Sequence, residues 1–489
     1  MMGGMENEET TPPIPPRYRW LKRFIKVGVA LLLCLVALRL WWGYEADRRL
    51  QGEIDRYRAA GEPVFADEFD REMAAVLDEE NAAILYEKAI NSITFTTKAG
   101  VHFEDFRGGT KDFGADMAAA AELMESNAGV FELVRQARAK PAVAWSQGFK
   151  NPAANFNLGN LSAKRSLAKM LRFAANYHFA AGNHDEVVAV ILDDLAFCQA
   201  INAYPTMIRS LVAWATYDFA YSAIEDLGGG LKVADSDDRQ DSDGVRAHRA
   251  ALRELLEVLR DESVVRSAAA RSYYGERASA LDQLGIVSDE GLQSYLGGNP
   301  TTQGVSERAI MGLLRPAIVL ELVQGLRNGT VAARAVADEN WPAAASRFRV
   351  QPESESLLTR LVHLSGNFFY SSGNLNRQSV QFLFRHLAKR RMAATALAIR
   401  LYVVDHGRRP DSLDELVPDY LAHVPADPFS AGNAPIRYKP NAEPPVLYSV
   451  GENGEDQGGT IVRVAKGGID RKASDMLFYL DGKKSRESD

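Results

Sequence analysis

The chain is 489 residues long, 46% hydrophobic and 25% charged, a composition that excludes wholesale disorder, collagen-like repeats and a multispan membrane protein. Lys+Arg number 57 against Asp+Glu 64, a net charge of -7, so no basic field draws in DNA or RNA and no nucleic-acid partner is expected. The two cysteines, Cys34 and Cys198, fall in an apolar run and a distant helical segment, which excludes a disulfide framework and a thiolate zinc knuckle.

Residues 1–16 carry four prolines and three glutamates with almost no large apolar side chain, and they read as a disordered tail. Residues 17–44 read as a transmembrane anchor with a basic flank. Arg17, Arg19, Lys22, Arg23 and Lys26 precede an uncharged run, Val27 to Leu38, and Trp41, Trp42 and Tyr44 follow it. A span from Phe24 to Tyr44 measures about 31 Å, close to the ~30 Å hydrocarbon thickness. Lys26 and Arg39 stand near its ends, where snorkelling relieves their charge. The basic flank favours an N-terminus in the cytoplasm, with the bulk of the chain on the outer, periplasmic side of the cytoplasmic membrane. A cleaved leader fits less well, because bulky Leu40, Trp41 and Trp42 follow the apolar run and Leu33 stands before Cys34 where a lipoprotein has a small residue.

Residues 45–372 read as a helical domain with little period-2 alternation. Leu167, Met170, Leu171, Ala174, Tyr177 and His178 form one apolar stripe, and Val187, Ile191, Asp194, Leu195 and Cys198 a second. Gly182-Asn183 between them predicts an antiparallel pair, and Pro205 opens a third helix, Thr206 to Leu227. The stretch from Ala174 to Pro205 resembles one tetratricopeptide unit, yet Val188 stands near the family's small alanine and no second copy follows at a fixed period. An irregular helical bundle and a TPR-like layer both remain open. An acidic linker is expected near 228–244; an EF-hand loop ending at Gly244 would place Arg239 and Ala250 where oxygen ligands belong, so calcium is not expected there.

No P-loop, Rossmann fingerprint, HExxH, GxSxG or kinase set occurs. His178 and His184 lie six residues apart around a turn, which is not one-face metal spacing. Asp193 and Asp194 are about 100° apart on a helix, so at most one joins a shared pocket; one is expected in a salt bridge and the other solvated. The run Arg385, His386, Lys389, Arg390, Arg391 either binds an anionic lipid or acidic partner or is a solvated helix face, the second being expected.

Residues 376–482 read as a small α+β module followed by a tail, 483–489. A long helix from about Gln378 ends at His406-Gly407, where a cation suits the dipole and glycine the left-handed cap. Ser412-Leu413-Asp414-Glu415 is a capping box for a short helix, LDELVPDYL. Ile436-Arg437-Tyr438, Val446 to Val450 and Met476 to Leu480 are three short extended segments, which predict an antiparallel sheet.

The succession AIRLYVVDHGRRPDSLDELVPDYL, ADPFS, IRY, LYSVGENGEDQGG and SDMLFYL resembles the globular domain of the G-type major pseudopilin of bacterial type II secretion, over about residues 390–481. The layout is also similar to single-span proteins of planctomycete-type bacteria that join a helical region to such a module. The first resemblance implies a calcium loop, whose counterparts here are Asn453, where the family has an aspartate, and Asp475, with Glu455, Asp456 and Asp470 adding oxygens; the loss of one carboxylate weakens such a site, and a plain glycine-rich surface loop is the alternative. Unlike a pseudopilin, this chain lacks the processed Gly-Phe leader, and its apolar segment stands far from the pseudopilin-like helix. The expected fold is therefore mostly α, with a transmembrane helix, an irregular or TPR-like bundle and a pseudopilin-like module. The expected function is an envelope interaction scaffold, its expected partners being the bilayer and envelope proteins of a secretion or pilus-like system. The alternative is a hydrolase-like envelope enzyme with dispersed carboxylates.

Overall fold

The computed structural model describes residues 16–105, 116–146, 148–149, 159–234, 246–289, 305–348, 373–464, 468–470 and 472–482. The expected tails at 1–15 and 483–489 and the acidic run 235–244 lie outside these residues. The chain is mostly helical, with a three-stranded antiparallel sheet near its C-terminal end.

Helix α1 spans Pro16–Ala59 and continues well past Tyr44. Its second half is held by local pairing: Glu45 accepts from Arg48 and Arg49 at 2.8 and 2.7 Å, and Gln51 donates to Asp55 at 2.8 Å, all at helical spacing. The two halves differ in what they touch. The apolar window has a mean hydropathy of 2.2 and is 0% buried, whereas Ala46, Ile54 and Tyr57 farther along are buried. One helix long and apolar enough to cross a membrane therefore runs directly into the folded body.

Of helices α2 (Ala66–Ala74), α3 (Ala82–Asn91), α4 (Met117–Ser126) and α5 (Ala128–Arg138), α3 and α4 pack on α5, while α2 lies against the helix Ser263–Asp289. Helices α6 (Gly159–Ala180), α7 (His184–Asn202) and α8 (Met207–Leu227) pack consecutively, with the tight turn expected at Gly182-Asn183. α7 is buried beyond its predicted stripe, since Val190, Leu192 and Phe197 are also enclosed. It is the central helix, covered by α3, α5, α6, α8 and α9 (Arg249–Arg260), so an amphipathic reading of it is too narrow.

Helices α10 (Ser263–Asp289) and α11 (Val305–Ala335) pack on one another and on α1 or α8; α12 (Trp341–Ser346) follows. At the α10 crossing, a Cβ on Gly275 would stand 1.9 Å from the Pro205 carbonyl oxygen, so only glycine permits the approach. Helix α13 (Gly373–His406) packs along α8, α9 and α11, with Leu387, Ala388, Ala393 and Leu397 in the main core. It ends where expected: Gly407 has φ +69°, and its N–H reaches the Val403 carbonyl at 2.9 Å.

The following capping box holds a single 3-10 turn, Leu413–Leu416, instead of the short helix expected over LDELVPDYL. Glu415 accepts from the amides of Asp411 and Ser412 at 2.6 and 3.3 Å, and Pro418 then denies the helix an amide. Strands β1 (Arg437–Lys439), β2 (Val446–Ser449) and β3 (Met476–Tyr479) pair antiparallel in sequence order, with Leu447 opposite Tyr438 and Phe478. β2 is central and buried throughout, and the sheet packs on α13 and α8.

Candidate functional site

Of the residues singled out in the terminal loop, Asp475 is buried while Asn453 and Asp456 are exposed, and each accepts from backbone amides of the loop. Asp475 is buried and accepts from the amides of Gly459 and Thr460 at 2.7 and 3.3 Å. Asp456 accepts from the Gly458 amide at 2.8 Å and from Arg437 Nε at 2.7 Å, and Asn453 Oδ1 accepts from the Glu455 amide at 3.1 Å. Arg437 already supplies Asp456 with its positive partner. In this arrangement the three side chains are engaged by loop amides and, for Asp456, by Arg437. Among the described residues no group of three or more His, Cys, Asp or Glu side chains is placed to hold a metal.

Asp427, within ADPFS, has a structural role that its sequence context did not reveal. Its fully buried carboxylate accepts from Ser449 Oγ at 2.7 Å, the Val450 amide at 2.8 Å and the Phe429 amide at 3.0 Å, with Arg437 at 3.4 Å. It ties the loop before β1 to the end of β2. An Asp-Pro pair before a strand was the available signal, but two of its donors, Ser449 and Val450, stand more than twenty positions away.

The basic run on α13 is not the solvated face that its spacing suggested. Arg385 pairs with Glu452, Lys389 with Asp218 at 2.7 Å, and Arg391 with Glu262 at 2.6 Å and the Ala426 carbonyl at 2.9 Å. Arg390 is buried and donates to the carbonyls of Val258 and Asp261. Burial, reinforced by Arg390 and Lys389, pushes the enclosed His386 well below the usual histidine range. Burial alone would raise the Glu262 carboxyl, but its pairing with Arg391 and Arg266 outweighs this and holds it below its usual value. These cations are consumed in joining α13 to α8, α9, α10 and the terminal loop.

The expectation that one of Asp193 and Asp194 is solvated is likewise overturned. Asp193 meets Arg138 at 3.1 Å and Arg135 at 3.5 Å, while Asp194 points into the core with Cys198 Sγ 3.7 Å away. Both are buried because α7 is central, and burial raises both carboxyls. Arg135 also holds Glu186, at 2.8 Å, so the carboxylate it brings near Asp193 is itself paired. His184 begins α7 and His178 is half-buried in α6, each against an aromatic ring.

Two further groups went unnoticed in the sequence. Lys164 on α6 is buried with Nζ 3.3 Å above the Trp145 ring, and burial with the neighbouring Arg209 charge pushes its amine down to about 7. A cavity of about 250 Å³ lies between α8, α10, α11 and the start of α13, walled by Met207, Leu211 and Phe382. At its edge Glu276 accepts from the Met207 amide at 2.6 Å, and burial raises its carboxyl to about 7. Arg277 also lines the cavity, its guanidinium bonded to Glu62 at 2.7 Å and Thr330 at 3.0 Å, and Tyr273 bonds Ser379 at 2.6 Å. Asn376 lines the same cavity; its buried Nδ2 has no hydrogen-bond partner among the described residues. The arrangement offers an apolar enclosure with one carboxyl able to exchange a proton near neutrality, not a carboxylate pair.

Compared with known proteins, the chain matches no protein-family model, no curated protein and no solved structure.

Proposed function

We propose that this chain is a bitopic envelope protein whose first helix crosses the cytoplasmic membrane and holds an interaction scaffold on the outer side. The observation that carries this reading is the character of α1: an unburied apolar half continues as one helix into a half packed on α11. Leaving side chains such as Leu31, Leu32 and Leu35 in water forgoes about 2 kcal/mol each. A bilayer removes that penalty, and the basic residues from Arg17 to Lys26 favour retention of their side in the cytoplasm.

The scaffold half of the reading rests on what the body offers. Helix α13 against a three-stranded antiparallel sheet supports the resemblance to the pseudopilin globular domain, and the α6–α7 pair followed by Pro205 supports a TPR-like layer. The narrower proposal is an accessory of a type II secretion or pilus-like machine, with envelope proteins as partners. Because α1 and α13 are separate helices, the chain would act beside such a filament and not as one of its continuous-helix subunits.

Reporter fusions after Gly61 and after Asp481 test the topology: activity of a periplasmic reporter at both supports it, and cytoplasmic placement of both refutes it. In-cell crosslinking tests the partners. Recovery of pseudopilus subunits or secretion-platform proteins supports the narrower proposal, and failure to capture them where known neighbours are captured defeats it. A second reading, a hydrolase-like envelope enzyme, draws on the Glu276 cavity alone.

A further inference from the structure

Helix α11 meets α1 inside the segment that sequence hydropathy assigns to the bilayer. On α1, Arg39, Trp42, Gly43 and Ala46 turn towards the body, while Leu40, Trp41 and Tyr44 remain exposed. The i, i+3, i+4, i+7 spacing makes this one face of the helix. The facing residues on α11 are Gly312, Arg315 and Pro316: Arg39 donates to the Gly312 carbonyl, Arg315 pairs with Asp47 at 2.9 Å, and Pro316 is buried close to Gly43.

The Arg39 bond has a specific chemical reason. In a helix the Gly312 carbonyl would accept from the amide of residue 316, but that residue is proline and has no N–H. The carbonyl is left without its helical partner, a costly state away from water. The Arg39 guanidinium takes that partner's place and is itself relieved, so two groups unsuited to a membrane satisfy each other. The snorkelling expected of Arg39 is thereby replaced by a directed contact. Arg39 lies about 7.5 Å nearer the bilayer centre than Tyr44 at ~1.5 Å per residue, and Tyr44 ends a span as long as the hydrocarbon is thick, so a carbonyl within reach of Arg39 lies in the upper acyl region. Leu313, the next residue, is 58% exposed there.

We propose that the turn of α11 from Gly312 through Pro316 is a second membrane contact: an interfacial foot resting in the outer leaflet of the bilayer that α1 crosses, with Leu313 against lipid. The occupant is lipid because the foot is bound to α1 at the level of Trp41 and Trp42, where the exposed face of α1 is itself apolar. The foot and α1 together fix the angle and height of the body above the membrane.

This inference rests on α1 spanning a bilayer, and the experiment separates the two. Full-length protein with Cys34→Ala, which leaves Cys198 buried, is placed in phosphatidylcholine nanodiscs with a single nitroxide at Leu313→Cys, Leu32→Cys or Leu77→Cys. Collision with oxygen is compared with collision with a water-soluble nickel complex. The expected result is preferential oxygen access at 32 and 313 and preferential nickel access at 77, a residue exposed on the body. A water-like signal at 313 with a lipid-like signal at 32 overturns the foot and leaves the anchor standing. A water-like signal at 32 overturns both.

Discussion

Replacing Glu276 by glutamine removes a titrating group from the cavity edge while keeping an oxygen for the Met207 amide. In the folded protein the carboxyl is raised from 4.5 to about 7 by burial, so the native state binds the proton more tightly than the unfolded chain. The stabilisation is fully present below the unfolded value near 4.5 and is lost as pH rises through about 7. Each tenfold gain in proton affinity is worth ~1.4 kcal/mol, so the loss by pH 8 approaches about 3 kcal/mol. Glutamine carries no such loss. Thermal denaturation of the full-length protein in nanodiscs at pH 5 and pH 8 reads it: the variant should melt a few degrees above the wild type at pH 8 and close to it at pH 5. An equal difference at both pH values, or a less stable variant at pH 8, would mean that Glu276 is ionised and supported as an anion, and the argument from burial would be wrong.

Gly275→Ala sets a Cβ against the Pro205 carbonyl oxygen and should cost about 3 kcal/mol or prevent the α10 crossing, seen as a lower melting temperature and faster proteolysis. Asp427→Ala leaves buried donors of Ser449, Val450 and Phe429 without their acceptor; a loss of about 3 kcal/mol is expected, read as faster amide exchange in β2. Arg391→Met removes one of the two cations that hold Glu262 ionised. Because the Glu262 carboxyl is depressed, its contribution is present above its unfolded value and lost as pH falls through the folded one, so the variant's acid-unfolding midpoint should move to higher pH.

The legible parts of the fold were those governed by neighbours in the chain. Gly182-Asn183, Pro205 and Gly407 mark helix ends where expected, and the three extended segments become β1, β2 and β3 within a residue or two. The candidate sites were far less legible. A run of like charges at i, i+4 spacing looks the same whether it faces water or six ordered acceptors, and only the positions of Asp218, Glu262, Glu452 and three carbonyls distinguish the cases. Glu276 looks like an ordinary helical glutamate until α8 and α13 enclose it.

The sequence by itself determined the apolar first helix, the helical character of the body, the closing helix and the three extended segments of the small antiparallel sheet, because periodicity, caps and turns act over a few residues. Tertiary structure alone decided that α7 is central with both its aspartates buried, that the α13 cations are fastened inside, and that a cavity forms beside Glu276. It also decided that Arg39 completes the carbonyl freed by Pro316. Each of these depends on desolvation or on a partner far away in the chain, and neither quantity is carried by local spacing.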